Sequence, residues 1–256
     1  MLKKTAYETV VAARDANKID TQVLINDLFS DFMELHGDRS GKDDPAIISG
    51  VAKLGNIPVT VIGTQKGRNM NENVSRHFGC VEPEGYRKAL RLMKQSEKFN
   101  RPIITLVNTP GAYPGVEAEY HGQGSAIAQC IMEGMRLRVP YLSVIFGEGG
   151  SGGALALATG DEVWMFENSI YSILSPEGYA SIMWKDAKKV KEASEELGLT
   201  PEDLLENGTI DRIVDEVVDQ KSADALQKSL LKKVMELKAM TPEDLVLKRE
   251  QRFRKF

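Results

Sequence analysis

Apolar positions along this 256-residue chain follow two rhythms. Short runs dense in Val and Ile, bounded by glycine and proline, read as strands, whereas apolar residues three and four apart read as helices. The strand pattern falls on 46–54 and 57–63, with Gly55-Asn56 between them as a hairpin signal, and then on 101–108, 139–146 and 162–166, the last preceding the segment 169–175. Helical spacing covers 1–35, where Asp20 or Thr21 is placed to cap a second segment, and also 84–99, 125–135, 187–206 and 221–240. The tail from Thr241 puts Pro242 at a helical N1 position and ends strongly basic. Residues 35–45 are dense in turn formers, and 65–73 reads as a mobile polar loop beside a site. With no linker or low-complexity segment, residues 1–256 are expected to form one α/β domain with helical extensions at 1–35 and 187–256.

Two strand patterns run into glycine. After 139–146 come seven residues of which five are glycine, Gly147-Glu148-Gly149-Gly150-Ser151-Gly152-Gly153, and then the small-residue helix pattern Ala154-Leu155-Ala156-Leu157-Ala158. About 40 residues upstream, a spacing typical of a β/α unit, 101–108 runs into Thr109-Pro110-Gly111-Ala112-Tyr113-Pro114-Gly115. A strand, a glycine turn and a helix start aim bare N–H groups at negative charge, and the lack of side chains lets a ligand approach the backbone.

Composition narrows the classes. A net charge of −4 gives no reason to expect nucleic acid, and no apolar run is long enough to span a membrane. The N-terminus has two lysines without an apolar segment behind them, unlike a secretion signal. Cys80 and Cys130 stand alone, which argues against a structural zinc site and fits a reducing cytoplasm.

Three motifs compete for the second glycine loop. Gly147-x-Gly149-x-x-Gly152 fits the dinucleotide fingerprint, with Glu167 near the ribose-acid position, but the helix pattern behind it is short and ends at Thr159-Gly160-Asp161. No lysine follows the last glycine, so a P-loop fails. Gly149-x-Ser151-x-Gly153 fits a hydrolase nucleophile elbow, but His36, His77 and His121 all precede Ser151, and that triad requires a later histidine. The third reading uses backbone alone: N–H groups of Gly152, Gly153 and Ala154, and of Gly111 and Ala112, as oxyanion donors. Lys66 and Arg68 read as solvated loop charges, with an anion-holding role as the alternative.

The segments 108–115, 147–156 and 175–185, supported by 34–39, 63–69 and 83–93, resemble the alpha subunits of the carboxyltransferase component of bacterial acetyl-CoA carboxylase, collinearly over roughly 30–215. Asn108, where many relatives carry an acid, and the variation around Gly122-Gln123 depart from the pattern without removing a backbone donor. The resemblance implies a crotonase-superfamily fold of repeated ββα units. It also implies transfer of carboxyl from carboxybiotin, tethered to a biotin carboxyl carrier protein, to acetyl-CoA, giving malonyl-CoA for fatty acid biosynthesis. Carboxybiotin supplies its own base once emptied, ATP is consumed by a separate biotin carboxylase, and a beta subunit bearing the zinc ribbon completes an α2β2 assembly. On this reading the chain holds no metal, Gly152, Gly153, Ala154, Gly111 and Ala112 serve catalysis, and Gly149, Gly150 and Tyr113 line the biotin side.

Overall fold

The computed structural model describes residues 4–255. Residues 1–3 and 256, parts of the two expected helical extensions, lie outside the described residues. The strands are β1 (Ser30–Glu34), β2 (Ile47–Leu54), β3 (Ile57–Thr64), β4 (Ile103–Thr109), β5 (Tyr141–Gly150), β6 (Glu162–Phe166), β7 (Ile170–Ser172) and β8 (Arg212–Val214). The helices are α1 (Ala6–Ala13), α2 (Thr21–Leu28), α3 (Met70–Ser75), α4 (Pro83–Lys98), α5 (Val116–Tyr120), α6 (Gln123–Arg136), α7 (Ser151–Leu155), α8 (Pro176–Trp184), α9 (Val190–Glu196), α10 (Pro201–Glu206), α11 (Gln220–Lys238) and α12 (Pro242–Phe253).

The main path of the sheet runs β1-β2-β3-β4-β5-β6-β8, antiparallel from β1 to β3 and parallel from β3 onward. The Gly55-Asn56 hairpin is in register from Leu54↔Ile57 to Ile47↔Thr64, with Gly55 at φ 57°. Alternation along each strand splits the core. Ile103, Val107, Tyr141 and Ile145 face α4 and α6, while Ile104, Leu106, Leu142, Val144 and Phe146 face α2 and α11. β2-β3-α4 and β6-β7-α8 are ββα units. In the unit between them, the second strand shrinks to a single parallel bridge, Val81↔Ala112.

Four sequence expectations are corrected. Residues 1–35 are not helix throughout. α2 stops at Phe29, which is extended (φ −129°), and β1 then adds an edge to β2, its backbone lying across Gly50, where a Cβ would sit 2.2 Å from Met33 O. Residues 187–206 break at Gly198 (φ 55°), and Thr200 caps α10 by accepting from Asp203 N–H. The segment 187–256 contains the strand β8, held on β6. Gly147–Gly150 is not a turn but the end of β5, paired with Thr109 on one side and β7 on the other. Glycine is tolerated in this strand because its neighbours press in: a Cβ on Gly147 would meet Asn108 Oδ1 at 2.4 Å.

The basic tail folds back as α12. Thr241 caps it, Pro242 occupies N1, and Glu243 and Asp244 sit in the first turn where the helix dipole favours acids. Arg249 is fully buried. Its Nη1 donates to the carbonyls of Gly134 (3.0 Å) and Leu137 (2.7 Å), and Nη2 pairs with Asp161 at 2.7 Å. These carbonyls end α6 and lack helical partners of their own. Arg249→Ala would strand the Asp161 carboxylate and those carbonyls, and is expected to lower the free energy of unfolding by about 3–5 kcal/mol in chemical denaturation. Arg254→Ala, which removes an exposed partner of Glu250, is expected to change it by no more than about 0.5 kcal/mol.

Candidate active site

The parallel pairing of β4 and β5 brings the two glycine segments side by side. A Cβ on Gly150 would lie 2.0 Å from Pro110 O, and one on Gly153 would lie 2.5 Å from Ala112 N and 2.7 Å from Gly111 C. Backbone is therefore packed on backbone, a contact only glycine permits. Gly111, at φ 143°, makes the first turn, and Ser151, a non-glycine at φ 51°, makes the second.

The five expected donors separate into two groups. Gly111 N–H donates to the buried Thr109 hydroxyl at 3.1 Å. Ala154 is the fourth residue of α7, so its N–H closes the first helical turn. Gly152 and Gly153 are the second and third residues of α7, whose N–H groups have no helical partner, and the N-cap, Gly150, has no side chain to cap them. Ala112 N–H has no acceptor among the described residues. Gly152 and Ala112 are half-buried and Gly153 is buried. Of the residues expected on the biotin side, Gly149 is buried under Tyr171, Gly150 lies on Pro110, and Tyr113 stacks on His77 with ring centroids 3.9 Å apart.

Side chains fix this geometry. Asn108 Oδ1 accepts from Glu148 N–H at 3.0 Å. Gln123 Nε2 donates to Val81 O and Tyr113 O, both at 2.9 Å, which clamps the loop after Gly111. His77, Phe78 and Gly79 all have positive φ (47°, 56° and 83°), and Gly79 O accepts from the Thr109 hydroxyl at 2.7 Å.

Sequence reasoning missed the central charge network. Glu148, nearly buried, pairs with Lys66 Nζ and Arg14 Nε, each at 2.7 Å, and Arg14 also pairs with Glu177 at 2.7 Å. Burial pushes the Glu148 carboxyl up, but Lys66 and Arg14 outweigh it and hold the group below the usual carboxylate range. Lys66 is thus a structural cation, and Arg68 pairs with Asp20. The one signal in the sequence was an acid inside a run otherwise apolar or glycine; nothing marked Arg14 as its partner. Ser151 has the strained conformation of an elbow nucleophile, but the histidines are engaged elsewhere: His36 with Asp43, His77 with Glu82, His121 with Glu84. Among the described residues no group of three or more His, Cys, Asp or Glu is placed to hold a metal ion.

A cavity of ≈ 510 Å³ is lined by Arg14, Lys66, Phe78, Asn108, Pro110 and Glu148, and one of ≈ 420 Å³ by Ser151, Gly152, Tyr171 and Ile173. A larger one of ≈ 650 Å³, bordered by Lys18, Asn168 and Glu216, touches neither glycine turn, so size alone does not mark the site.

The family model described as acetyl co-enzyme A carboxylase carboxyltransferase-like matches residues 2–256. This chain belongs to that family. It is 52% identical over 246 residues to the protein named acetyl-coenzyme A carboxylase carboxyl transferase subunit alpha of Streptococcus pyogenes serotype M5 (strain Manfredo), covering 95% of this chain and 96% of the relative. The protein of the same name from Streptococcus thermophilus (strain LMD-9) is 50% identical with the same coverage. Among solved structures, a transcarboxylase 12S with methylmalonyl-coenzyme A and methylmalonic acid bound superposes with TM-score 0.74 at 21% identity, over 91% of this chain and 44% of that one. A Pseudomonas malonate decarboxylase hetero-tetramer in complex with coenzyme A gives 0.67 at 15% identity, over 81% and 85%. These structures share the fold, the crotonase-like arrangement of repeated ββα units expected from the sequence.

Because the folded-state pKa of Glu148 is depressed, its stabilising contribution is present above the unfolded value and is lost as pH falls through the folded value. Glu148→Gln is expected to lower the unfolding free energy by about 2 kcal/mol at pH 7. The gap to wild type should shrink as pH falls below the ordinary glutamate value of about 4.3, where the unfolded chain takes up a proton that the folded chain does not. Denaturation curves with the same gap at pH 7 and pH 3.5 would contradict this assignment.

Proposed function

We propose that this chain is the biotin-side half of a carboxyltransferase that moves a carboxyl group from carboxybiotin to acetyl-CoA, forming malonyl-CoA for fatty acid biosynthesis. The carboxyl transferase alpha subunits it resembles over nearly their whole length support the reaction class. The observation that carries the reading is the pair of N–H groups at Gly152 and Gly153, uncapped among the described residues and packed against the turn that presents Ala112. Such donors fit the carbonyl oxygen of a ureido group. Their orientation is set before any ligand arrives, so no reorganisation opposes the developing charge.

Bound carboxybiotin supplies the carboxyl group and, after release, the basic nitrogen that takes the methyl proton. The chain's own part is to hold the ureido oxygen with Gly152 and Ala112 N–H, backed by Gly153, and to keep Glu148 ionised and neutralised behind them. Gly149, Gly150 and Tyr113 shape the wall on that side. Acetyl-CoA and its oxyanion belong to a beta subunit carrying the zinc ribbon, in an α2β2 assembly. The carrier protein delivers the carboxyl group, and biotin carboxylase consumes the ATP. Exposed Ile173, Ile182 and Met183, the first on the rim of the cavity at Ser151, suit an apolar partner surface. A cytoplasmic location goes with this reading; no helix of the described residues is long and apolar enough to cross a membrane.

The chain alone is expected to form no malonyl-CoA and to gain that activity on addition of the beta subunit; full activity of the isolated chain would overturn the half-site reading. Within the complex, the Gly152 N–H is best tested by proline. A Cβ at Gly152 meets only Ile127, at 3.7 Å, whereas at Gly153 any Cβ collides with Ala112 N. Gly152→Pro is expected to lower kcat about 10²–10³-fold, with Gly152→Ala and Ser151→Ala within about threefold of wild type. Biotin-dependent malonyl-CoA decarboxylation, read in the reverse direction with circular dichroism as the folding control, decides it.

A further inference from the structure

Two buried polar atoms at this site have no hydrogen-bond partner among the described residues: Gln123 Oε1, whose amide is anchored through its nitrogen, and the Tyr86 hydroxyl. The Tyr86 hydroxyl, on α4, is fully buried and makes no hydrogen bond among the described residues. Its neighbours on the same helix are all satisfied. Lys88 Nζ donates to Asp44 O at 2.9 Å and Ile47 O at 2.8 Å, Ser96 Oγ donates to Leu92 O at 2.7 Å, and the Tyr86 carbonyl accepts from Cys130 Sγ at 3.1 Å. The gap is therefore local to the phenol. Phenylalanine would fill the same space and leave nothing unpaired, so the hydroxyl needs a reason other than packing.

Its position supplies one. The point where a Gly153 side chain would begin lies 2.7 Å from Tyr86 OH, 2.7 Å from Gly111 C and 2.5 Å from Ala112 N. The hydroxyl thus lies close to the Gly111–Ala112 peptide, across the space that Gly153 leaves open. The Thr109 hydroxyl has one proton to share between Gly79 O at 2.7 Å and Gly111 O at 2.9 Å, so its hold on the Gly111 carbonyl is partial. Gly111, at φ 143° and without a Cβ, lets this peptide tilt.

We propose that Tyr86 is a positioning residue for carboxyl transfer: when charge develops in front of Ala112 N–H, its hydroxyl donates to the Gly111 carbonyl behind. A donor on the carbonyl polarises the peptide and strengthens its N–H as a donor to the anion. Burial raises the phenol's pKa well above its ordinary value, so the proton stays in place across the working pH range. No proton is transferred and no bond other than the hydrogen bond forms.

The proposal rests on the carboxyltransferase reading, and its test separates the two. Tyr86→Phe is assayed in the complex with the beta subunit by biotin-dependent malonyl-CoA decarboxylation, beside wild type and Tyr141→Phe. Tyr141 is the matched control because its buried hydroxyl already donates to Leu157 O at 2.7 Å. Tyr86→Phe is expected to lower kcat about tenfold, less than loss of a direct donor, with KM for malonyl-CoA unchanged and the thermal midpoint equal to or above wild type. Tyr141→Phe should show the converse, a lower midpoint with kcat retained. A Tyr86→Phe complex within twofold of wild-type kcat, or one whose loss of rate tracks a loss of midpoint, would overturn the positioning role and leave the carboxyltransferase reading intact. A wild-type complex inactive in the same assay would overturn both.

Discussion

The close approach of two stretches of backbone organises this molecule. Gly150 and Gly153 lie on Pro110, Gly111 and Ala112 at separations that leave no space for a single carbon between them. Everything that presents the candidate donors follows from that contact. β5 continues through its glycines instead of turning away, α7 begins directly against the preceding unit, and the Gly111 N–H is held by the Thr109 hydroxyl. A side chain at either glycine would separate the turns and scatter the N–H groups, and preorganisation is what gives such groups their catalytic weight.

Charge is arranged to support this contact without entering it. Glu148 lies in the glycine run itself and is neutralised from two directions, by Lys66 after β3 and by Arg14 after α1. Arg14 also reaches Glu177 on α8, so one guanidinium ties the N-terminal helix to both flanks of the second turn. A buried carboxylate left alone here would repel a developing oxyanion. Paired twice, it lies next to the site as an anchor for the strand.

The chain ends are built into the same body. Arg249 on α12 satisfies the last carbonyls of α6 and the buried Asp161, whose carboxyl is pushed up by burial despite the guanidinium. α6 begins with Gln123, whose amide clamps the loop after Gly111. The C-terminal helix therefore bears on the far end of an element that holds the first turn at its near end.

Local rules read most of this fold from the chain. The β2-β3 hairpin, β4, β5, β6, α4, α6 and α11 are marked by periodicity and, in the hairpin, by Gly55, because an amphipathic segment of ordinary length carries its own pattern. The glycine segment at 147–153 was equally legible, since five glycines in seven residues have few other uses. The sequence did not reveal β1, β8 or the strand character of Gly147–Gly150, because an edge or a glycine strand exists only through its neighbour's hydrogen bonds. It pointed to five backbone donors but could not separate them. Whether an N–H is free depends on acceptors distant in the chain, such as the Thr109 hydroxyl, or on where a helix begins. The partners of Glu148, 82 and 134 positions away, and the unpaired phenol of Tyr86 were likewise decided by tertiary packing, which alone determines what a buried polar group meets.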